Sequence, residues 1–169
     1  NDECGICEGT GAGVECVDGS FECDIADCPT VALSFANLNE TTGTVDIMMT
    51  SIVDIAGYQI EMFGASITGA SGGLSEEAGF MISNSSSMVL GFSTTGDVIA
   101  PSSGTLVSLT FSDYSDFICF NEGNTTFSDT DAGALTIILG ECAGNFMPGC
   151  PDDTACNYNP DANVDDGSC

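Results

Sequence analysis

Acidic and amide side chains recur at every second position near the C-terminal end of the chain, and they are the residues best suited to chemistry. On a tight loop this spacing places their oxygens on one side of the backbone, where Ca²⁺ takes about six to eight oxygen ligands. The predicted ligands are Asp152, Asp153, Asn157, Asn159, Asp161, Asn163 and Asp165. The segment differs from an EF-hand, because Gly167 falls one place late when Asp161 is the first ligand and no glutamate closes the loop. A solvated acidic turn held by disulfides is the alternative interpretation.

The charge of the chain also favours bound cations. Its 169 residues include 26 aspartates and glutamates and no lysine, arginine or histidine, which gives a net charge of -26. The self-repulsion of such a chain has to be screened by a salty medium or compensated by metal. Calcium is therefore the predicted cofactor, and a second, weaker site is predicted at Asp18, Glu22, Asp24 and Asp27. The same charge excludes nucleic acid as a partner, because it repels phosphates.

Composition excludes most catalytic mechanisms. Without histidine, neither a Ser-His-Asp nor a Cys-His arrangement can form, and without lysine a Schiff base or a Ser-Lys pair is equally impossible. Paired carboxylates remain, as in glycoside hydrolysis, and Glu61, Glu76 and Glu77 are the candidates. No motif places two of them across a cleft, so the chain is predicted not to be an enzyme. Membrane insertion is not expected either, since no apolar run approaches the ~18 residues of a spanning segment.

Ten cysteines in a chain without histidine favour disulfides over zinc. The predicted disulfide cysteines are Cys4, Cys7, Cys16, Cys23, Cys28, Cys119, Cys142, Cys150, Cys156 and Cys169. At this density they indicate an oxidising compartment, and an extracellular or cell-surface location is expected. If Cys119 and Cys142 clip the last strands together, an odd number of cysteines precedes them and an odd number follows. Full oxidation would then need a bridge between the two ends, within one chain or between subunits, although spacing leaves other pairings open.

Three sequons predict N-linked glycans as a second kind of attached group. Asn39 is followed by Thr41, Asn84 by Ser86 and Asn124 by Thr126. Each asparagine lies in a predicted loop or at a predicted strand edge, where a glycan would project into water.

Alternating apolar residues between Val31 and Leu139 predict the elements that carry these sites. Strands are predicted at 31–36, 45–49, 58–62, 88–92, 105–111, 117–120 and 135–139. The alternation predicts half-buried strands, so that Met88, Leu90 and Phe92, for example, share one face. Gly-rich and Ser-rich runs that begin at Gly69 and Ser83 predict loops, and residues 75–80 are predicted to form at most a single helical turn.

Short strands at regular spacing predict an all-β fold, an antiparallel β-sandwich of the jelly-roll type with seven to nine strands. The sandwich is predicted to occupy residues 30–142. A Cys-rich module at 1–29 and a Cys- and Asp-rich tail at 143–169 are predicted to be small, irregular and disulfide-rich, because they have too few apolar residues for a core of their own.

Two stretches of the middle of the chain resemble a known family. The succession VDIMMTSIVDIAGYQIEM, followed by GTLVSLTFS, is similar to strands of cohesins and related carbohydrate-binding modules.

The tail GCPDDTACNYNPDANVDDGSC resembles Cys- and Asp-rich repeats of secreted multidomain proteins and, more distantly, thrombospondin type 3 calcium repeats. The N-terminal DECGICEG resembles the spacers that accompany such repeats. The resemblance implies a cohesin-like sandwich, a calcium-binding tail and, for a cohesin, a dockerin as partner.

These observations predict a non-catalytic extracellular structural protein. Because the chain starts inside one Cys-rich repeat and stops on the last cysteine of another, copies are expected to associate head to tail into a fibre or cell-surface array stabilised by disulfides and calcium. The alternative is a cohesin-type or carbohydrate-binding module of a secreted adhesin or scaffold, with surface glycans as a further partner. Sugar stacking is disfavoured, because the chain has no tryptophan and Tyr58 falls on a predicted core face.

Overall fold

Alternation of apolar and polar residues builds the strands of the protein, whose computed structural model describes residues 13–169. In chain order the strands are β1 (Val14–Glu15), β2 (Phe21–Glu22), β3 (Val31–Asn39), β4 (Thr44–Ser51), β5 (Gly57–Phe63), β6 (Ser66–Ser71), β7 (Met81–Asn84), β8 (Met88–Phe92), β9 (Ser102–Ser112), β10 (Phe117–Phe120), β11 (Thr126–Ser128), β12 (Ile137–Leu139), β13 (Ala143–Gly144), β14 (Pro148–Gly149) and β15 (Val164–Asp165). A helical turn, α1, spans Gly73–Glu77, and 3-10 helices span Ile25–Asp27 and Glu122–Asn124.

Two sheets form the body of the protein. One has the strand order β12-β3-β4-β9-β6, and only its β12–β3 pair is parallel. The other has the order β13-β10-β5-β8-β7, with β11 also paired to β5. The predicted antiparallel β-sandwich is therefore confirmed.

The core lies between the inner faces of the two sheets. In β4 every second residue is buried, including Val45, Ile47 and Met49, and β5 contributes Tyr58, Ile60 and Met62 in the same way. Burying one such large apolar side chain contributes roughly 1.5–3 kcal/mol before entropy costs. Strands 45–49 and 58–62 were thus predicted with the correct face towards the core, and Tyr58 is a core residue as predicted.

Strand β8 faces the core with the side opposite to the one that its apolar residues predict. Val89 is 0% exposed and Gly91 is buried, whereas Leu90 and Phe92 point away from the core. The reason lies on the neighbouring strand β5, because the ring of Tyr58 occupies the space beside Gly91. A Cβ atom on Gly91 would lie 2.2 Å from Cζ of Tyr58. The inward position beside Tyr58 therefore has to be occupied by glycine. Because neighbouring residues of a strand point to opposite faces, the larger side chains of Leu90 and Phe92 point outwards.

Tyr58 also connects the second sheet to the helical turn. Its hydroxyl group forms a 2.8 Å hydrogen bond with the hydroxyl of Ser75 in α1, and both residues are buried. Burial raises the pKa of Tyr58 to about 12, and the hydrogen bond to Ser75 opposes this shift only in part. The helical turn predicted at 75–80 exists but begins earlier, at Gly73.

Two predicted loops are parts of strands. The Gly-rich run contributes Gly69, Ala70 and Ser71 to β6, and the Ser-rich run contributes Ser83 and Asn84 to β7. Both strands are edge strands of their sheets. Edge strands need few large side chains, and the small residues of these two runs are also typical of loops. Composition alone therefore predicted loops there. With β6 and β7 included, the two sheets hold more strands than the seven to nine predicted.

The terminal segments add small irregular units. In the described N-terminal part, β1 and β2 form a two-stranded hairpin, and near the C-terminus β14 pairs in parallel with β15. Strand β13 lies just past residue 142 and pairs with β10 of the sandwich. The boundaries at 29/30 and 142/143 stay predictions. None of the helices formed by residues 13–169 is long and apolar enough to cross a membrane.

Candidate interaction site

The outward orientation of β8 creates an exposed apolar patch, which consists of Met81, Leu90 and Phe92. Met81 on β7 lies directly opposite Phe92 on β8, so the two side chains meet on the same face of the sheet. The exposed fractions are 56% for Met81, 37% for Leu90 and 43% for Phe92. Exposed apolar residues that cluster in this way are typical of interaction surfaces, whereas single ones need no explanation.

A groove runs beside the apolar patch because β5 has a glycine there. Gly57 lies between Phe92 on β8 and Ser128 on β11, and it offers no side chain to fill the row. The resulting groove has a volume of ≈ 340 Å³ and includes Ala132 and Ala134 of the following loop in its wall. It has the size to accept one side chain or a short segment of a partner.

The other end of this face is polar and carries a fixed negative charge. Glu61 on β5 accepts hydrogen bonds at Oε2 from Nδ2 of Asn121, at 2.7 Å, and from Nδ2 of Asn124, at 2.6 Å. Gln59, one row closer to the patch, donates to the carbonyl oxygen of Asn124 at 3.0 Å. We call the outer surface of β11, β5, β8 and β7, with this cluster and the apolar patch, the partner face.

The outer surface of the other sheet has a different character. Asp46 accepts hydrogen bonds from Ser108 at 2.6 Å and from Asn37 at 2.8 Å, and Thr50 is hydrogen-bonded to Ser103 at 2.8 Å. Its polar side chains are thus paired with one another across the strands. The partner face also carries the exposed apolar patch, and it is therefore the better candidate for an interaction site.

Most of the predicted calcium ligands of the tail form hydrogen bonds with the protein itself, some within turns and some between separate segments. Asn163 accepts the N–H of Met147 at 2.9 Å and donates to the carbonyl oxygen of Asn145. Asn157 donates to the carbonyl oxygen of Ser168 at 2.6 Å. The remaining amide and two of the carboxylates accept nearby N–H groups, in the pairs Asn159 with Asp161, Asp165 with Gly167, and Asp152 with Thr154. The hydrogen bonds from Thr154 lower the pKa of Asp152.

Similar turns occur at the second predicted calcium site, at Asp18, Glu22, Asp24 and Asp27. Asp18 accepts the N–H and the hydroxyl of Ser20, and these bonds lower the pKa of its carboxyl group. Glu22 lies in β2, Asp24 immediately precedes the first 3-10 helix, and Asp27 is the last residue of that helix. Within residues 13–169, no three Asp, Glu or Cys side chains are grouped closely enough to hold a metal ion. Calcium binding stays a prediction.

Most cysteines of the described part are paired. The disulfides are Cys16–Cys28, Cys119–Cys142 and Cys150–Cys169, and Cys23 is disulfide-bonded as well. The pair Cys119–Cys142 is the bridge that the sequence suggested. Cys156 is a correction to the predicted set, because its thiol is free and exposed. Cys4 and Cys7 lie outside the described residues.

The three sequon asparagines are exposed, at Asn39, Asn84 and Asn124. Asn39 ends β3, Asn84 ends β7, and Asn124 ends the second 3-10 helix. These are loop or strand-end positions, in line with what the sequence suggested. Glycosylation itself stays a prediction.

Two of the three glutamates considered for catalysis form hydrogen bonds within the fold. Glu61 is held by the two amides described above, and Oε2 of Glu76 accepts the N–H of Gly72 at 2.9 Å. Glu77 is exposed at the end of α1. Glu61 and Glu76 therefore have roles in local structure that need no catalytic explanation.

Solved structures with a similar arrangement of strands are cohesin domains or their complexes. A chain of a type I cohesin–dockerin complex from Clostridium thermocellum is 13% identical with a TM-score of 0.45, and the match covers 65% of this chain and 87% of that chain. A type II cohesin domain from the cellulosome of Acetivibrio cellulolyticus is 14% identical with a TM-score of 0.42, covering 68% and 92%. A non-cellulosomal cohesin from the archaeon Archaeoglobus fulgidus is 9% identical with a TM-score of 0.42, covering 65% and 84%.

These likenesses concern cohesins, the family that the strand motifs resemble. At such identities and TM-scores they establish neither family membership nor function. No protein-family model matches the sequence, and no curated protein matches it significantly. The thrombospondin-like calcium repeats stay a prediction.

The sequence pattern alone does not reveal the partner face. The alternation at 88–92 indicated that Met88, Leu90 and Phe92 share a face, but it also suggested that this face is buried. The only signal for the opposite orientation is the pair Val89 and Gly91, and it becomes informative only when Tyr58 is known to lie beside Gly91. That contact depends on tertiary structure.

Proposed function

We propose that this chain is a non-catalytic binding module whose partner face docks a polypeptide that presents apolar side chains flanked by lysine or arginine. The observation that carries the proposal is the apolar patch of Met81, Leu90 and Phe92 beside the groove over Gly57. An apolar centre with a polar rim is the usual anatomy of a protein-binding surface. This is the cohesin-type alternative among the functions predicted from sequence.

Charge selects the chemistry of the partner. The chain has no basic residue, so every acidic side chain around the patch lacks a cationic partner from the chain itself. Glu61 is held in place by Asn121 and Asn124, and a fixed carboxylate loses little freedom when a partner's cation approaches it. A basic partner would also be attracted over a distance by the net charge of -26.

A synthetic amphipathic helix of leucine and lysine provides a probe for this surface, and the same helix with glutamate in place of lysine is its control. We expect calorimetry at 0.15 M salt to show binding of the lysine peptide only. Phe92→Ser should weaken that binding at least about tenfold, because it removes a central apolar contact. Glu61→Gln should weaken it by a few-fold at most, and less in high salt, because a rim charge contributes little.

The matched control is Ile138→Ser on β12. Ile138 is 36% exposed, close to the value for Leu90, but it belongs to the other sheet. Its replacement should leave the affinity for the peptide unchanged within a factor of about two. Equal weakening by both serine variants would show non-specific attraction and contradict the proposal. Binding of neutral oligosaccharides at the patch would favour the sugar-binding alternative instead.

Self-association is a second candidate function, and the exposed free thiol of Cys156 favours its first step, a pair of copies joined tail to tail. A thiol of this kind can form a disulfide with another copy of the chain under oxidising conditions. We expect oxidised wild-type protein to give disulfide-linked species on non-reducing gels, and Cys156→Ser to lose them. Monomers of equal amount in both proteins would count against covalent assembly, whereas electron micrographs of long polymers would show that further contacts extend the linked pairs into a fibre.

A further inference from the structure

The sequon at Asn124 lies on the partner face itself. Nδ2 of Asn124, the atom to which an N-linked glycan is attached, donates to Oε2 of Glu61 at 2.6 Å. Thr125 is buried, and its Oγ1 atom accepts the N–H of Glu61 at 3.3 Å. The sequon is therefore held against the outer surface of β5, and a glycan attached there would start from that surface.

The distance from the sequon to the apolar patch is short. Thr126, the third residue of the sequon, pairs with Gln59 across β11 and β5, and Gln59 pairs with Leu90 across β5 and β8. Neighbouring strands are about 4.8 Å apart, so Thr126 lies within roughly 10 Å of Leu90 along this row. An N-linked glycan is bulky and hydrated, and its first sugars are large enough to extend over such a distance.

We infer that a glycan on Asn124 masks the partner face, so that glycosylation there and binding of the partner exclude each other. This inference rests on the proposed function for its consequence.

In the glycosylation reaction, Nδ2 of Asn124 attacks C1 of a lipid-pyrophosphate-linked oligosaccharide. The C1–Nδ2 bond forms, the bond between C1 and the pyrophosphate oxygen breaks, and one amide proton is released with the lipid pyrophosphate. Nδ2 keeps one N–H, which is available to Glu61.

Asn39 provides a matched comparison within the same chain. It ends β3 in the other sheet, and its Oδ1 atom accepts the N–H groups of Thr41 at 3.1 Å and Thr42 at 3.0 Å. Its amide is thus oriented by its own hairpin, and no strand of the partner face takes part. A glycan of the same size on Asn39 adds the same mass and hydration without covering the patch.

The experiment uses the full chain made in a host that glycosylates sequons. The Asn39→Gln/Asn84→Gln variant keeps only Asn124, and the Asn84→Gln/Asn124→Gln variant keeps only Asn39. Mass spectrometry measures occupancy, calorimetry measures affinity for the leucine–lysine peptide, and retention on a phenyl resin reports access to the apolar patch. Compared with the same variant made without glycosylation, the Asn124 glycoform should bind the peptide at least about tenfold more weakly and elute early, whereas the Asn39 glycoform should change little.

The inference is overturned if the two glycans have equal effects. It is also overturned if Asn124 stays unglycosylated in its variant while Asn39 is glycosylated in the other. The resin separates it from the proposed function. If unglycosylated protein does not bind the peptide but the Asn124 glycoform alone loses retention on the resin, the proposed partner is wrong and the masking is right. If the unglycosylated protein binds and both glycoforms bind as well as it does, the masking is wrong and the proposed function stands.

Discussion

Replacing Gly91 with alanine is expected to lower the free energy of unfolding by about 3 kcal/mol, the upper end of the usual cost of overpacking a core. The added Cβ would lie 2.2 Å from Cζ of Tyr58, and 2.6 Å from its hydroxyl oxygen. Tyr58 cannot easily move aside, because its ring packs near Phe80 and Phe127 and its hydroxyl is bonded to Ser75. Urea unfolding followed by circular dichroism measures the loss.

Gly104 on β9 is the matched control. It is also a strand glycine, but a Cβ there would meet Cδ1 of Leu74 at 3.7 Å, which is an ordinary contact. Gly104→Ala should therefore leave stability unchanged or raise it by about 0.4–1 kcal/mol, because alanine restricts the unfolded chain. A similar loss in both variants would mean that glycine is needed in these strands for reasons other than the ring of Tyr58.

A second variant tests the contact itself. In a Tyr58→Leu background the ring is absent, and Gly91→Ala should then cost less than about 1 kcal/mol. If the cost of Gly91→Ala stays the same with and without the ring, the orientation of β8 has another cause. The affinity of the stable variants for the leucine–lysine peptide is a second measurement. It should fall in any variant in which Leu90 and Phe92 no longer point outwards.

Much of the sandwich follows from the sequence because period-two alternation is a local property. Strands β3, β4, β5, β9 and β10 all contain residues predicted as strand, and the Cys119–Cys142 bridge was suggested from its flanking position. The orientation of β8 could not be predicted, since Met88, Leu90 and Phe92 form as good an apolar row as any core face. What decides it is a steric fit between Gly91 and a residue about 30 positions earlier.

The predicted metal ligands illustrate a different limit. Alternating Asn and Asp residues suit calcium, but the same residue types also stabilise turns and link separate backbone segments by hydrogen-bonding to backbone groups. Asn163, for instance, joins two backbone segments through Met147 and Asn145. Spacing in the sequence does not distinguish these two uses of an amide.

The Cys119–Cys142 disulfide is expected to have the second large effect on stability. It closes a loop across 23 residues, and the chain-entropy model assigns roughly 3 kcal/mol to a loop of this size. It also holds the segment that carries β13 against β10, where Phe146 packs edge-on against Phe117. Cys119→Ala/Cys142→Ala should lower the free energy of unfolding of the sandwich by that amount and speed hydrogen exchange in β10.

Cys150→Ala/Cys169→Ala is the control, because this bridge spans a similar 19 residues but encloses only the tail. The strand inside that loop, β15, pairs with β14, and neither belongs to the two large sheets. Its removal should leave the urea midpoint of the sandwich nearly unchanged and affect exchange in the tail alone. Equal losses would mean that tail and sandwich unfold as one cooperative unit. A loss in the control alone would refute the stabilising role of Cys119–Cys142. That bridge joins β10 to the segment that carries its neighbouring strand, β13.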